Sequence, residues 1–311
     1  MIKKNSKIFV AGHKGMVGSS IIRILRKKSF KNILTIDKKK INLLDQFKTF
    51  NFLQKNKPEL VIIAAARVGG IKVNSSYKAS FIYENLQIQN NLIHGSYLAG
   101  VKKLIFLGSS CIYPRDCNQP IKEEYLLTGP LELTNEAYAI AKIAGLKMCD
   151  YYNHQYGTNY LCLMPCNLYG LNDNYDLDSS HFIPALIRKI NYAKNNKFKE
   201  VTLWGDGSPK RELMYVDDLA KACIHFMNKD TEESLINVGS NEEYTIKQFA
   251  KKISKLIGYK GVINFDKNMP NGTPRKLLNT KILKKYKFTS FKKFDDGIKL
   301  VYQSFKKMNL N

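Results

Sequence analysis

Two short stretches carry the residue types best suited to chemistry. GSSCIYP, residues 108–114, follows the apolar run KLIFL and sets hydroxyls, a thiol and a phenol at a strand end. YAIAK, residues 138–142, puts Tyr138 and Lys142 at i and i+4, on one face of a helix. A free phenol titrates at about 10. A neighbouring ammonium favours the phenolate, and bringing the value to about 7 takes about 4 kcal/mol of differential stabilisation. Such a tyrosine exchanges protons with a carbonyl or an alcohol near neutral pH. Ser109 can donate a hydrogen bond to the same oxygen. A reductase needs these three groups and has no evident use for Cys111. That thiol reads either as small apolar filler or as a reactive base beside a carbonyl. His181 offers an imidazole that can supply a proton, or simply starts the apolar helix behind it.

A third stretch, GHKGMVG at 12–18, spaces Gly12, Gly15 and Gly18 between an apolar run and a helical pattern. Strand, glycine turn and helix in that order form a dinucleotide fingerprint. Missing Cβ atoms let the backbone approach a pyrophosphate, and the helix start offers free N–H groups. Asp37 stands about twenty residues on, where a carboxylate can take the ribose diol of NAD(H). Lys14 and Lys38–Lys40 can instead hold the 2′-phosphate of NADP(H), and NADP(H) is the favoured cofactor.

These groups need a scaffold, and the chain reads as one. Lys7–Ala11, Asn32–Asp37, ELVIIAAA (59–66), KLIFL (103–107) and NYLCLM (159–164) are strand candidates. Helical patterns cover 16–28, about 85–99 and 136–155, and Asp45 can cap another helix. Continuous apolar strands alternating with helices predict an α/β, Rossmann-type, doubly wound parallel sheet. The rhythm breaks near residue 170. A smaller, partly interleaved C-terminal substrate unit is expected from 171–211 and 241–311. Residues 1–170 form the dinucleotide unit, and 212–240 return to it through the INVG strand.

Composition narrows the classes. The chain of 311 residues carries a formal charge of +24, from 50 Lys and Arg against 26 Asp and Glu. The excess is mostly scattered lysine and no aromatic–basic motif accompanies it, so no nucleic-acid partner is expected. A basic surface still favours anionic small ligands. No apolar run reaches the ~20 residues of a membrane span, and no signal segment is recognised. The six cysteines (111, 117, 149, 162, 166 and 223) show no CxxC spacing. Reduced thiols, no metal and a cytoplasmic location follow as expectations.

The ordered set GHKGMVG, AAARVGG (64–70), GSSCIYP, YAIAK and PCNLYG (165–170) resembles the extended short-chain dehydrogenase/reductase family, which acts on nucleotide sugars. SSCIYP, NEAYAIAKIAG, DSSH, LWGDGSPKRE and GTPRKLL narrow the resemblance to members that convert GDP-4-dehydro-6-deoxy-D-mannose to GDP-L-fucose. It covers about residues 7–285. The resemblance implies a 3,5-epimerase and 4-reductase, with Cys111 as base, His181 as acid, and Ser109 and Tyr138 on the C4 oxygen. It implies a cofactor bordered by Gly12, His13, Lys14, Gly15, Met16, Val17, Gly18 and Lys38. Further along, Leu107, Gly108, Ser109, Ser110, Tyr138, Lys142, Pro165, Cys166, Asn167, Leu168 and His181 complete that border. Lys189, Trp204, Arg211, Asn271 and Lys276 are implied for the GDP-sugar, though Trp204 also reads as core. A homodimer is implied too. Lys14, Lys38 and Asn271 depart from the family's usual arginines and loop acid, which weakens NADP selectivity and one ligand contact. Another nucleotide-sugar enzyme of the same fold, such as a 4-epimerase or a 4,6-dehydratase, is the nearest rival, but SSCIYP lacks the carboxylate that a dehydratase's C5 deprotonation would need. A non-catalytic NADP-binding regulator is the rival from another class.

Overall fold

The apolar runs of the first half become one parallel sheet. The computed structural model describes residues 1–177, 179–269 and 271–308. Strands β1 (Ile8–Ala11), β2 (Ile33–Leu34), β3 (Leu60–Ile63), β4 (Lys103–Leu107) and β5 (Asn159–Pro165) join a returning strand, β9 (Leu235–Val238). Their order is β2-β1-β3-β4-β5-β9, every pair parallel. β3 and β4 are buried throughout, as LVII and KLIFL demand of strands covered on both faces. Helices α1 (Met16–Lys27) and α7 (Val216–Phe226) pack together, while α2 (Gln46–Asn56), α4 (Lys78–Leu98) and α5 (Glu136–Tyr156) form another layer. Asp45 caps α2 as expected, accepting from Lys48 N–H at 3.0 Å.

Two expected elements differ in extent. The strand over 32–37 pairs only at Ile33 and Leu34, because this edge strand meets β1 at Ile8 and Phe9 alone and then turns at Asp37. The helix expected from about 85 starts at Lys78. Its buried polar residues blur the apolar period: Asn85 donates to Phe81 O, Gln89 to Ala141 O and Asn91 to Leu43 O.

Beyond Pro165, β9 apart, the strands form two smaller sheets. β6 (Asn167–Tyr169), β10 (Glu243–Thr245) and β12 (Arg275–Lys276) pair with β8 (Lys210–Tyr215), and β7 (Glu200–Trp204) pairs with β11 (Val262–Asp266). Helices α6 (Phe182–Asn195), α8 (Ile246–Ile257) and α10 (Phe294–Lys306) bury Ile187, Phe249 and Phe294 in a second core. A reciprocal Thr245–Gln248 capping box opens α8. The tail is shared, since Leu278, Leu283 and Phe288 pack with the parallel-sheet core. Asp178 and Pro270, which open the DSSH and PNGTPRK stretches, lie outside the described residues.

Candidate active site

The glycine turn closes tightly over the carboxyl ends of β1 and β3. Gly15 N–H donates to Gly12 O at 3.1 Å. Gly12 is left-handed, with φ at 86°, and a Cβ there would sit 2.7 Å from Ala65 N. A Cβ on Gly18 would collide with the Gly12 carbonyl oxygen. The first turn of α1 has no acidic residue and no side-chain cap, so its N–H groups and positive dipole end face whatever the turn holds. Gly12, His13, Lys14, Gly15, Met16, Val17 and Gly18 thus fit a dinucleotide pyrophosphate. Lys14 pairs with Asp37, whose carboxyl is held below the ordinary range by that contact and by Lys39 N–H. Lys38, Lys39 and Lys40 stand exposed beyond it. The carboxylate therefore already has a cationic partner, and three ammonium groups remain on the rim.

β4 ends at Leu107, and Gly108 N–H continues the ladder to Leu163 O at 3.0 Å. Gly108 packs on Met164 so closely that a Cβ would meet its sulfur. Ser109 then caps a single 3₁₀ turn over Ser110–Ile112, its hydroxyl accepting from Cys111 N–H at 3.4 Å. This turn contacts α5, so Cys111 and Ser109 come to the helix that carries Tyr138 and Lys142. Lys142 is buried; its Nζ donates to Leu107 O at 2.8 Å and lies 4.7 Å from the Phe106 ring centroid and 5.7 Å from that of Tyr138. Pro165 ends β5, Cys166 follows it, and Asn167 and Leu168 open β6.

Burial pushes the Tyr138 phenol up, and Cys111 adds to that push. Burial pulls the Lys142 ammonium down to about 8, although nearby thiols oppose it. The ammonium spends a hydrogen bond on Leu107 O, and the phenol keeps its proton. A protonated phenol suits proton donation to a carbonyl oxygen. The Cys111 thiol is also pushed up by burial, with Lys276, the Ser109 hydroxyl and Lys142 working against that rise.

The remaining expected residues come from the mixed-sheet half. His181 precedes α6 with extended backbone, and its residue surface stays open to solvent. Neighbouring protein atoms still desolvate the ring and hold its imidazole below the ordinary value. Lys276 on β12 lies beside Arg211 on β8 and lines a cleft with Cys111. Arg211 Nη1 donates to Thr273 O at 2.6 Å. Trp204 ends β7 with 53% of its surface exposed, which removes the core reading. Asn271 Oδ1 accepts from Asp206 N–H at 2.9 Å, so its side chain ties the 271–274 loop to the turn after Trp204. Lys189 lines a different groove, with Leu177, Tyr192 and Phe198.

Residues 8–239 match the NAD dependent epimerase/dehydratase family. GDP-L-fucose synthase 1 of Arabidopsis thaliana is 47% identical over 302 residues, covering 97% of this chain and 94% of the relative. The chain belongs to this family, in its GDP-L-fucose synthase group. Among solved structures, a GDP-6-OMe-4-keto-L-xylo-heptose reductase from C. jejuni superposes with a TM-score of 0.93 at 34% identity, covering 99% of both chains. A GDP-L-fucose synthetase from Naegleria fowleri bound to NADP gives 0.91 at 29% identity, covering 99% of this chain and 94% of the other.

Within this member of the epimerase/dehydratase family, sequence reasoning missed three charged groups. Glu132, Arg115 and Arg275 line the Cys111 cleft together with Lys276. Glu132 approaches Arg115 at 3.5 Å and accepts from the Thr134 hydroxyl at 3.2 Å. It stands six residues before Tyr138 in LELTNEAY, so proximity to the YAIAK helix was the available signal. Arg275 pairs with Glu243 across strands far apart in sequence, which no local pattern reveals.

Proposed function

We propose that this protein converts GDP-4-dehydro-6-deoxy-D-mannose to GDP-L-fucose, inverting C3 and C5 and then reducing C4 with NADPH. One observation carries the reading: a thiol, Cys111, sits in the same turn as Ser109 and against the helix bearing Tyr138 and Lys142, in a chain of this family. A reductase alone has no role for that sulfur.

Hydrogens on the carbons flanking a ketone are acidic because their loss gives an enolate. In this reading Ser109 and Tyr138 hydrogen-bond the C4 oxygen, which stabilises the enolate where its charge develops. Cys111 removes the proton from one face at C3 and at C5, and His181 returns a proton to the opposite face. Each inversion therefore removes one proton and adds one, and both side chains reset through solvent. NADPH, when bound, supplies hydride to C4. Tyr138 then donates its proton to the C4 oxygen, with Lys142 anchored on Leu107 O behind it. The glycine turn, Lys14, Lys38, Leu107, Gly108, Ser110, and Pro165 to Leu168 border the cofactor. Exposed Lys38–Lys40 and the Lys14–Asp37 pair favour NADP(H), and the Asp37 carboxylate is the group that would take the ribose diol of NAD(H). Lys189, Trp204, Arg211, Asn271 and Lys276 receive the GDP moiety, the cations on its diphosphate and Trp204 on a flat surface.

The two cores favour a division of labour, with 1–170 and 212–240 holding the cofactor and 171–211 and 241–311 holding the sugar nucleotide. Exposed Tyr83, Leu98, Ile140, Tyr151 and Tyr156 on α4 and α5 favour a homodimer built on those helices. No helix among the described residues is long and apolar enough to cross a membrane. Six free thiols suit the cytoplasm.

The decisive assay mixes the protein, NADPH and GDP-4-dehydro-6-deoxy-D-mannose, then follows cofactor oxidation and identifies the sugar. GDP-L-fucose is expected. Oxidation with C3 and C5 left uninverted would make the protein a plain C4 reductase. No oxidation would favour a regulator.

A further inference from the structure

We propose that the Lys276 ammonium is the cation that stabilises the Cys111 thiolate during proton abstraction, which makes Lys276 a positioning residue for the epimerase steps. This rests on the reading that Cys111 is the base. The resemblance assigns Lys276 only to the GDP moiety, and its place in the fold carries a further role.

Hydrogen bonds hold the segment around Lys276 from two sides. On one side β12 pairs with β8, setting Lys276 opposite Arg211, and buried Glu212 accepts Leu278 N–H at 3.0 Å. On the other side the segment is stitched to the stretch just beyond GSSCIYP. Leu277 N–H donates to Gln119 Oε1 at 2.9 Å, Ile121 N–H donates to Leu277 O at 2.7 Å, and Asn279 N–H donates to Ile121 O at 2.8 Å. The strand bearing Lys276 is thereby fixed to both halves of the molecule. Lys276 and Cys111 line the same cleft, with Arg115, Glu132 and Arg275 around them.

The charged groups facing this pair divide clearly. Burial disfavours the thiolate, and Lys276 is the strongest influence in its favour, ahead of the Ser109 hydroxyl and Lys142. Lys142 is committed to Leu107 O and lies over Phe106. Tyr138 carries no positive charge to offer. Lys276 in turn is disfavoured as a cation by burial and Arg211, and favoured by Cys111, Glu132 and Cys117. The half-buried ammonium and the buried thiol line one cleft, and each favours the other's charged form.

The test reads the thiolate directly, without sugar or NADPH. Iodoacetamide labels the intact protein across a pH series, and mass spectrometry follows the Cys111 peptide in wild type, Lys276→Met and Lys276→Arg. Cys111→Ser assigns the signal among the cysteines. At pH 8 the Met variant should label Cys111 about tenfold more slowly, equivalent to one pH unit in its labelling curve, and Arg should restore most of the rate. An unmoved curve in the Met variant overturns the proposal, and so does an unmoved curve accompanied by a raised KM, which would leave Lys276 on phosphate alone. Should circular dichroism show Lys276→Met unfolded, Lys276→Gln is read by the same criteria. Failure of the underlying reading looks different: Cys111→Ser would retain full solvent-deuterium exchange at C3 and C5, whatever the labelling curve does.

Discussion

Gly70 N–H donates to Ser179 O at 3.0 Å, joining the loop after β3 to the segment that ends at His181. A Cβ on Gly70 would sit 2.7 Å from Ser180 O. Asn74 braces the loop from behind, its Nδ2 donating to Gly69 O at 2.6 Å and Gly70 O at 3.1 Å. The contact sets where His181 begins α6. Gly70→Ala should therefore displace His181 and lower solvent-deuterium incorporation at C3 and C5 by roughly tenfold to a hundredfold, as small misplacements of reacting groups do. NADPH affinity, read by fluorescence quenching, should hold within about twofold. Full exchange in this variant would show that the strut does not govern the imidazole.

Much of this was legible in the chain. GHKGMVG, GSSCIYP and YAIAK each impose a local geometry, a turn, a strand end or a helix face, and each sits where that geometry puts it. The parallel sheet was readable because LVII and KLIFL must be buried on both faces. What sequence withheld depends on distant pairing. AAARVGG gave glycines but no hint that Gly70 meets Ser179, more than a hundred residues away. Glu132 and Arg275 reach Cys111 only through a loop and an edge strand. Nor does spacing show what surrounds the Tyr138–Lys142 pair: it puts an ammonium near the phenol, while burial raises the phenol and the Leu107 carbonyl takes the Lys142 Nζ hydrogen bond.

The glycine turn tolerates nothing larger at its third glycine. A Cβ on Gly18 would overlap the Gly12 carbonyl, so Gly18→Ala must open the turn and misdirect the N–H groups of α1. NADPH binding should weaken by about a hundredfold or the fold should loosen; titration calorimetry alongside near-ultraviolet circular dichroism separates the two. Wild-type affinity would remove the turn from the cofactor site.

Cofactor choice should respond to the lysines around Asp37. Lys14 neutralises the Asp37 carboxylate that would otherwise repel a 2′-phosphate, and Lys38 stands exposed beside it. The double variant Lys14→Ala, Lys38→Ala should lose about tenfold to a hundredfold in kcat/KM for NADPH and gain relative preference for NADH. Unchanged ratios of the two cofactors would place phosphate recognition elsewhere.

The pH profile of epimerisation follows from opposite displacements of acid and base. Crowding holds the His181 imidazole below its ordinary 6.5, so its cationic form is lost at lower pH than usual. Burial holds the Cys111 thiol above its ordinary 9.0, so thiolate appears only at higher pH. The working pair, imidazolium with thiolate, is then a minor form at every pH, in a constant proportion between the two titrations. Exchange at C3 and C5 should trace a flat-topped bell, with its acid limb below 6.5 and its alkaline limb above 9. Lys276→Met should move the alkaline limb further up and leave the acid limb in place. A narrow optimum near neutrality would mean that the two groups titrate closer together than their surroundings dictate, and that one of them is not the proton carrier.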